Sequence, residues 1–264
     1  MKSTPIDYDT VREMLRTATP DRILRFIGKS HPADIALLFK GLVPTEVRQF
    51  FDILFSARRA AKTLTELPPE LLPDILALIE DDKIARVIVR ANPDDAVTII
   101  DSLTEERRES VLSLLDPERR EEVRELISYP EGTVGRIMNT EFMALAPTTT
   151  AQGAIDKIRE RGELESFFYL YVVDPENKLV GVVPIRNLVI APRDRTLSEM
   201  MIADPLKGDV FMDQEEAARI VAKYELLALP IVDEGGRLEG IITVDDVIDI
   251  STRKAPKTCT RWPV

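Results

Sequence analysis

The 264-residue sequence is 44% apolar and 31% charged and carries a formal net charge of −11, a globular composition long enough for two ordinary domains. Its acidity argues against a general nucleic-acid binder, which needs a basic surface, and favours cations as partners, or simply solubility. The single cysteine, Cys259, excludes an intramolecular disulfide, and no apolar run approaches the ~20 residues of a membrane span, nor does Met1-Lys2-Ser3-Thr4-Pro5 open a signal peptide, so the chain as given is expected to be soluble.

The first half is punctuated by proline. Pro20, Pro44, Pro69, Pro93 and Pro117 follow one another at spacings of 24, 25, 24 and 24, each with an acidic or small polar residue after it and an apolar stripe beyond. Proline at a first helical turn with carboxylates nearby marks a helix start. Further starts at His31-Pro32-Ala33-Asp34 and Thr104-Glu105-Glu106-Arg107 give each period two short helices. Residues 5–127 therefore read as an all-α repeat domain, in which stacked hairpins form a superhelix and each repeat buries its apolar face on the next. Ile35, Leu38, Phe50, Leu54, Leu72, Ile75, Ile99 and Leu112 are its expected core.

Tyr129-Pro130-Glu131-Gly132-Thr133-Val134-Gly135 holds a proline and two glycines, and residues 128–137 read as a short joint between domains that permits rotation. Beyond it the chain is doubled. Val172-Val173-Asp174 with Leu179-Val180-Gly181-Val182-Val183 recurs 59 positions later as Ile231-Val232-Asp233 with Leu238-Glu239-Gly240-Ile241-Ile242. In each copy two β-branched runs flank a polar turn, Gly235-Gly236 in the second, and a helical segment follows, Ile185 to Ile190 and Val244 to Ile250. A unit of this size buries little core alone, so the two α/β copies, 138–196 and 197–250, are expected to pack face to face around a cleft.

Chemistry is sparse. The lone histidine, His31, precedes a proline at a helix start and has no cysteine at metal-ligand spacing. Nucleophile elbow, P-loop and dinucleotide fingerprints are missing, so the chain reads as a non-enzyme. The distinctive groups are carboxylates: Asp94-Asp95 at a helix start, and Asp245-Asp246 with Asp249, whose spacings of four and three put them on shared helical faces. Capping against the helix dipole suffices for Asp94 and Asp245; Asp249, a turn later, is harder to explain that way and calls for solvation or a neutralising cation. Hard oxygen donors suit magnesium or calcium, and magnesium is held by one or two carboxylates plus retained waters.

At these residues the sequence resembles a known family. Gly240-Ile241-Ile242-Thr243-Val244-Asp245-Asp246 matches the G-h-h-[ST]-x-x-[DN] motif of CBS domains. The order of a helical superhelix, then Tyr129-x-Glu131-x-Thr133-x-Gly135-x-x-Met138, then Phe168-Tyr169-Leu170-Tyr171-Val172-Val173-Asp174 and the second-copy motif, resembles the cytosolic region of the MgtE family of magnesium channels, from about residue 10 to 250. The resemblance implies a multidomain α + α/β fold: an N-terminal all-α superhelix followed by a tandem CBS pair. It also implies a homodimer through the CBS pairs, a membrane domain as partner, a place at the cytoplasmic face of the membrane, and Mg2+ screening facing carboxylates so that the compact arrangement closes a pore.

By position, the implied magnesium ligands are Asp94 and Asp95 on the helical domain and the Ala222 carbonyl, Glu225, Asp246 and Asp249 on the CBS side. Lys62 and Thr98 stand where relatives carry acids, and Lys62 is expected to imitate a bound cation through a salt bridge. For ATP or another adenine nucleotide the matching residues are Tyr169, Arg186, Asn187, Thr243 and Asp246; Asn187 stands in place of an acid and Pro184 in place of a hydroxyl. Two other readings stay open: a stand-alone CBS regulator of nucleotide response, and a helical scaffold for protein partners. Residues 251–264, basic and proline-broken, depart from the family's acidic connecting helix; a single-base frame change accounts for them, and so does a native tail.

Overall fold

The computed structural model describes residues 8–161 and 168–253, with the side chains of Tyr8, Asp249 and 251–253 not described. Most of the atypical tail therefore lies outside the described residues. The chain divides into two compact units after Arg124.

The first unit is helical: α1 Tyr8–Thr17, α2 Pro20–Ile27, α3 Pro32–Leu38, α4 Pro44–Ser56, α5 Ala60–Thr65, α6 Leu72–Leu76, α7 Asp81–Ile88, α8 Pro93–Asp101, α9 Glu105–Leu114 and the start of α10 Pro117–Ser128. Four of the five periodic prolines open a helix at its first position, where the missing N–H is no loss. Pro69 does not. The Leu72 N–H reaches the Pro68 carbonyl at 3.2 Å, but Pro73 has no N–H to continue the ladder, so the assigned helix begins only at Leu72. The paired helices per period are present, and α1 packs on α4, α3 on α5 and α7 on α9. Every apolar residue expected in the core is buried. His31 caps α3: its Nδ1 accepts the Ala33 N–H at 3.3 Å, a structural use of the only histidine.

The second unit contains the doubled α/β element. After α11 Val134–Ile137 come β1 Ala144–Leu145, α12 Ala151–Arg161, β2 Tyr169–Val173, β3 Leu179–Pro184, α13 Ile185–Ile190, α14 Leu197–Met200 and β4 Ile202–Ala203. The second copy follows as β5 Gly208–Asp209, α15 Gln214–Tyr224, β6 Ala228–Val232, β7 Leu238–Thr243 and α16 Val244–Arg253. The sheets run β1-β2-β3-β4 and β5-β6-β7, with a parallel first pair and antiparallel neighbours beyond it. Both hairpins carry an irregularity at the same repeat position, Val172/Val173 and Ile231/Val232.

Alternation along the strands makes two cores. Leu170, Val172 and Val183 face α12 and α13 with Ala154 and Leu188, while Tyr171, Leu179 and Val182 meet Val232, Leu238 and Ile241 of the other copy. Burial on both sheet faces explains why these strands read as unbroken apolar runs. At the turn between them Asn177 at φ 63° occupies the left-handed position that Gly236 takes, at φ 80°, in the second copy.

The segment expected to be a short joint, 128–137, makes specific contacts within this unit. Val134 and Gly135 donate to the carbonyls of Met212 and Val210 at 2.9 and 2.8 Å, and Asn139 bridges Ile241. The segment ahead of the first copy is thus docked on the second copy. Equivalently, the segment that opens the second copy at 197 packs on the first: α14 lies against β3, and β4 joins the first sheet, where Ile202 pairs with Val182 and Ala203 with Gly181. Each docked segment lays a methionine on a glycine: a Cβ on Gly181 would meet Met201 Sδ at 2.5 Å, and one on Gly240 would meet Met138 Sδ at 2.7 Å. Only a residue without a side chain admits that approach.

Candidate functional site

The second unit holds a cleft of about 540 Å3 lined by Phe168, Tyr169, Pro184, Ile185, Arg186, Ile202, Glu225 and Leu227. Strand geometry assembles it. Tyr169 opens β2 opposite Pro184, which ends β3, Arg186 follows on the first turn of α13, and Ile202 is supplied by β4. Glu225 ends α15 in the left-handed conformation, φ 52°, which turns the chain back so that Leu227 reaches the wall. The Tyr169 hydroxyl accepts the Leu227 N–H at 3.5 Å, joining the two copies across the cleft. The walls are aromatic and aliphatic, and the rim carries one cation, Arg186, and one carboxylate, Glu225, both exposed.

Of the residues expected to hold a nucleotide, the structure brings Tyr169 and Arg186 together here; Asn187, Thr243 and Asp246 are not among the lining residues. At the repeat offset of 59 Thr243 and Asp246 are the counterparts of Pro184 and Asn187, so they occupy the equivalent place in the second copy. There the Asp246 carboxylate accepts both the Thr243 N–H at 2.9 Å and its hydroxyl at 2.7 Å, tying the first turn of α16 to the end of β7. Phe168, Ile202 and Leu227 went unnoticed as site residues in the sequence. Phe168 had a usable signal, its place beside Tyr169; Ile202 had none, because it arrives by strand pairing from outside its own copy.

The expected magnesium ligands fall in both units. Asp94 and Asp95 are the second and third residues of α8, half-buried at the positive end of the helix dipole. In the second unit Ala222 is exposed on α15, Glu225 stands on the cleft rim, and Asp246 is engaged with Thr243; the Asp249 side chain lies outside the described residues. Among the described residues no three His, Cys, Asp or Glu side chains cluster as a metal cage. The donors are nevertheless all hard oxygens, the set magnesium takes while keeping part of its water shell.

A helical-repeat unit is thus followed in the chain by a doubled α/β unit whose two copies interlock. Residues 30–132 match the MgtE intracellular N domain, and 134–194 and 197–253 each match a CBS domain. The chain belongs to the MgtE family, whose N domain and CBS pair it carries in that order. It is 30% identical over 230 residues to the magnesium transporter MgtE of Bacillus subtilis, covering 87% of this chain and 51% of that protein. To the magnesium transporter MgtE of Thermus thermophilus it is 31% identical over 253 residues, 93% of this chain and 55% of that one. The crystal structure of the cytosolic domain of the Mg2+ channel MgtE in complex with ATP superposes with a TM-score of 0.85 at 29% identity, covering 92% of this chain and all, 100%, of that one. The chain spans about half the length of the curated relatives it matches. Relatives matched across both units are transporters, in line with the expectation that the chain is not an enzyme. No helix among the described residues is long and apolar enough to cross a membrane.

Proposed function

We propose that this chain is the magnesium-sensing cytosolic region of an MgtE-type Mg2+ transporter or channel, dimeric through its CBS pairs and coupled to a membrane domain. The observation that carries the reading is the match of residues 30–132 to the MgtE intracellular N domain, followed by two CBS domains, along a chain that aligns over 93% of its length with an MgtE transporter. Asp94 and Asp95 on the helical unit and Glu225, Asp246, Asp249 and the Ala222 carbonyl on the other supply hard oxygen ligands. A bound cation offsets the mutual repulsion of these carboxylates, and an ion that binds one arrangement of the chain more tightly than another has the differential affinity a switch needs. Small-angle scattering of the purified chain during a magnesium titration tests this. The radius of gyration of a dimer is expected to fall on adding magnesium, and the response to weaken by about tenfold or more in Asp94→Asn or Glu225→Gln. A shape indifferent to magnesium overturns the reading.

A nucleotide is the second ligand in this proposal. The cleft volume of about 540 Å3 falls within the ~300–1,000 Å3 range of small-molecule sites, and its aromatic and aliphatic walls beside Arg186 suit a planar base with an anionic tail. The similar cytosolic domain in complex with ATP supports that choice. Calorimetric titration with ATP is expected to show binding that Tyr169→Ala or Arg186→Ala weakens by about tenfold, whereas Thr243→Ala, outside the cleft, leaves it within about twofold. Equal loss in Thr243→Ala overturns this assignment of the site.

A further inference from the structure

The helical unit holds a second cleft, of about 60 Å3, whose lining includes four cationic side chains, Arg58, Lys62, Arg86 and Arg90, beside Phe55 and Val87. Such a concentration of positive charge stands out in a chain of net charge −11. Arg86 is held in place from two sides: its guanidinium lies 5.9 Å from the Phe55 ring centroid and pairs with Asp82 one turn earlier. Arg58 and Arg90 carry no side-chain ion pair or hydrogen bond among the described residues, although carboxylates outnumber cations in the chain by 46 to 35. Arg58 also sits at φ 59° in the turn between α4 and α5, a left-handed conformation that is unfavourable for a residue with a side chain.

Size narrows the ligand. The cleft, about 60 Å3, has room for a few waters and so for one small oxyanion. It is far below the ~300 Å3 at which nucleoside-sized ligands begin to fit. Guanidinium forks match phosphate oxygens in pairs, and charge-assisted bonds of that kind are the strong ones. We propose that this cleft binds a phosphate group, with Arg58 and Arg90 as its principal donors.

The test is 31P line broadening of inorganic phosphate by the full chain at constant chloride-set ionic strength. Saturable binding is expected, weakened about tenfold or more in Arg58→Gln/Arg90→Gln. Arg58→Gly serves as the second variant: it removes the cation and relieves the left-handed strain, so binding is expected to weaken while thermal stability holds or rises. Phosphatidylcholine vesicles with and without phosphatidic acid identify the source. Sedimentation with the phosphatidic acid vesicles, lost in the double variant, assigns the phosphate to a lipid headgroup; phosphate binding without sedimentation assigns it to a soluble anion. The proposal is overturned by absence of saturable phosphate binding, by unchanged affinity in the double variant, or by acetate displacing phosphate at equal concentration.

Discussion

At Glu46 one buried carboxylate serves three donors. It accepts the Val43 N–H at 3.1 Å, which caps α4, and the guanidinium groups of Arg12 and Arg16 at 3.2 and 3.0 Å. Burial pushes its pKa up, but the Val43 N–H and the two arginines outweigh that, and the carboxyl sits below the ordinary range. A lowered folded-state pKa means stability that is present above the unfolded value of about 4.3 and is lost as pH falls through the folded value. Glu46→Gln is therefore expected to lower stability by about 1–2 kcal/mol near neutral pH, as for other lost caps. The gap should close in acid, as urea denaturation at a series of pH values would reveal; a pH-independent gap counts against the ionised form as the source. The sequence announces Glu46 only as an acid after Pro44. Its partners 30 and 34 positions earlier depend on how α1 packs on α4, which no local pattern encodes.

Among elements, the helical unit uses one device repeatedly. The last carbonyls of a helix lack intrahelical partners, and here an arginine from a distant helix start supplies them. Arg59 bonds the Ile27 and Ser30 carbonyls beyond α2, Arg107 those of Leu76 and Ile79 beyond α6, and Arg119 those of Ile88 and Ala91 beyond α7. In the second unit Arg136 does the same for Ile127 and Tyr129 at the end of α10. Arg107 is further fixed by Asp81 at 2.6 Å, so Arg107→Met removes a cap and takes from the Asp81 carboxylate its cationic partner, leaving it the Ser110 hydroxyl. A loss of about 1.5–3 kcal/mol is expected, measurable by thermal denaturation; a change under about 0.5 kcal/mol, ordinary for surface sites, would mean water replaces the guanidinium. The proline period made the helix starts legible, because proline acts on its own residue and the next turn. Helix ends were not, since the caps from Arg59, Arg107 and Arg119 come from about thirty residues away. The doubled strands were legible for the same local reason, as was half of the cleft: Tyr169 and Arg186 lie on the repeat itself, while Ile202 and Leu227 reach it through pairing between copies.

For the molecule as a whole, docking 132–139 on the second copy alters what the CBS pair is. Two successive domains would each complete their own sheet. Here Asn139 pairs with Ile241 and Met138 covers Gly240, while the two sheets share one core through Tyr171, Val182, Val232 and Ile241. Backbone continuity between the copies runs through exposed Asp204 at φ 46°, a position suited to proteolytic nicking. The copies are fastened like clasped hands rather than beads on a string. A single cut near Asp204 is expected to leave the fragments co-eluting in native chromatography and separating only in denaturant; fragments that part under native conditions would show that the covalent link, not the clasp, holds them. Noncovalent fastening of this kind makes the pair one mechanical body, so a force applied to the chain at residue 132 is delivered to the second sheet before it reaches the first.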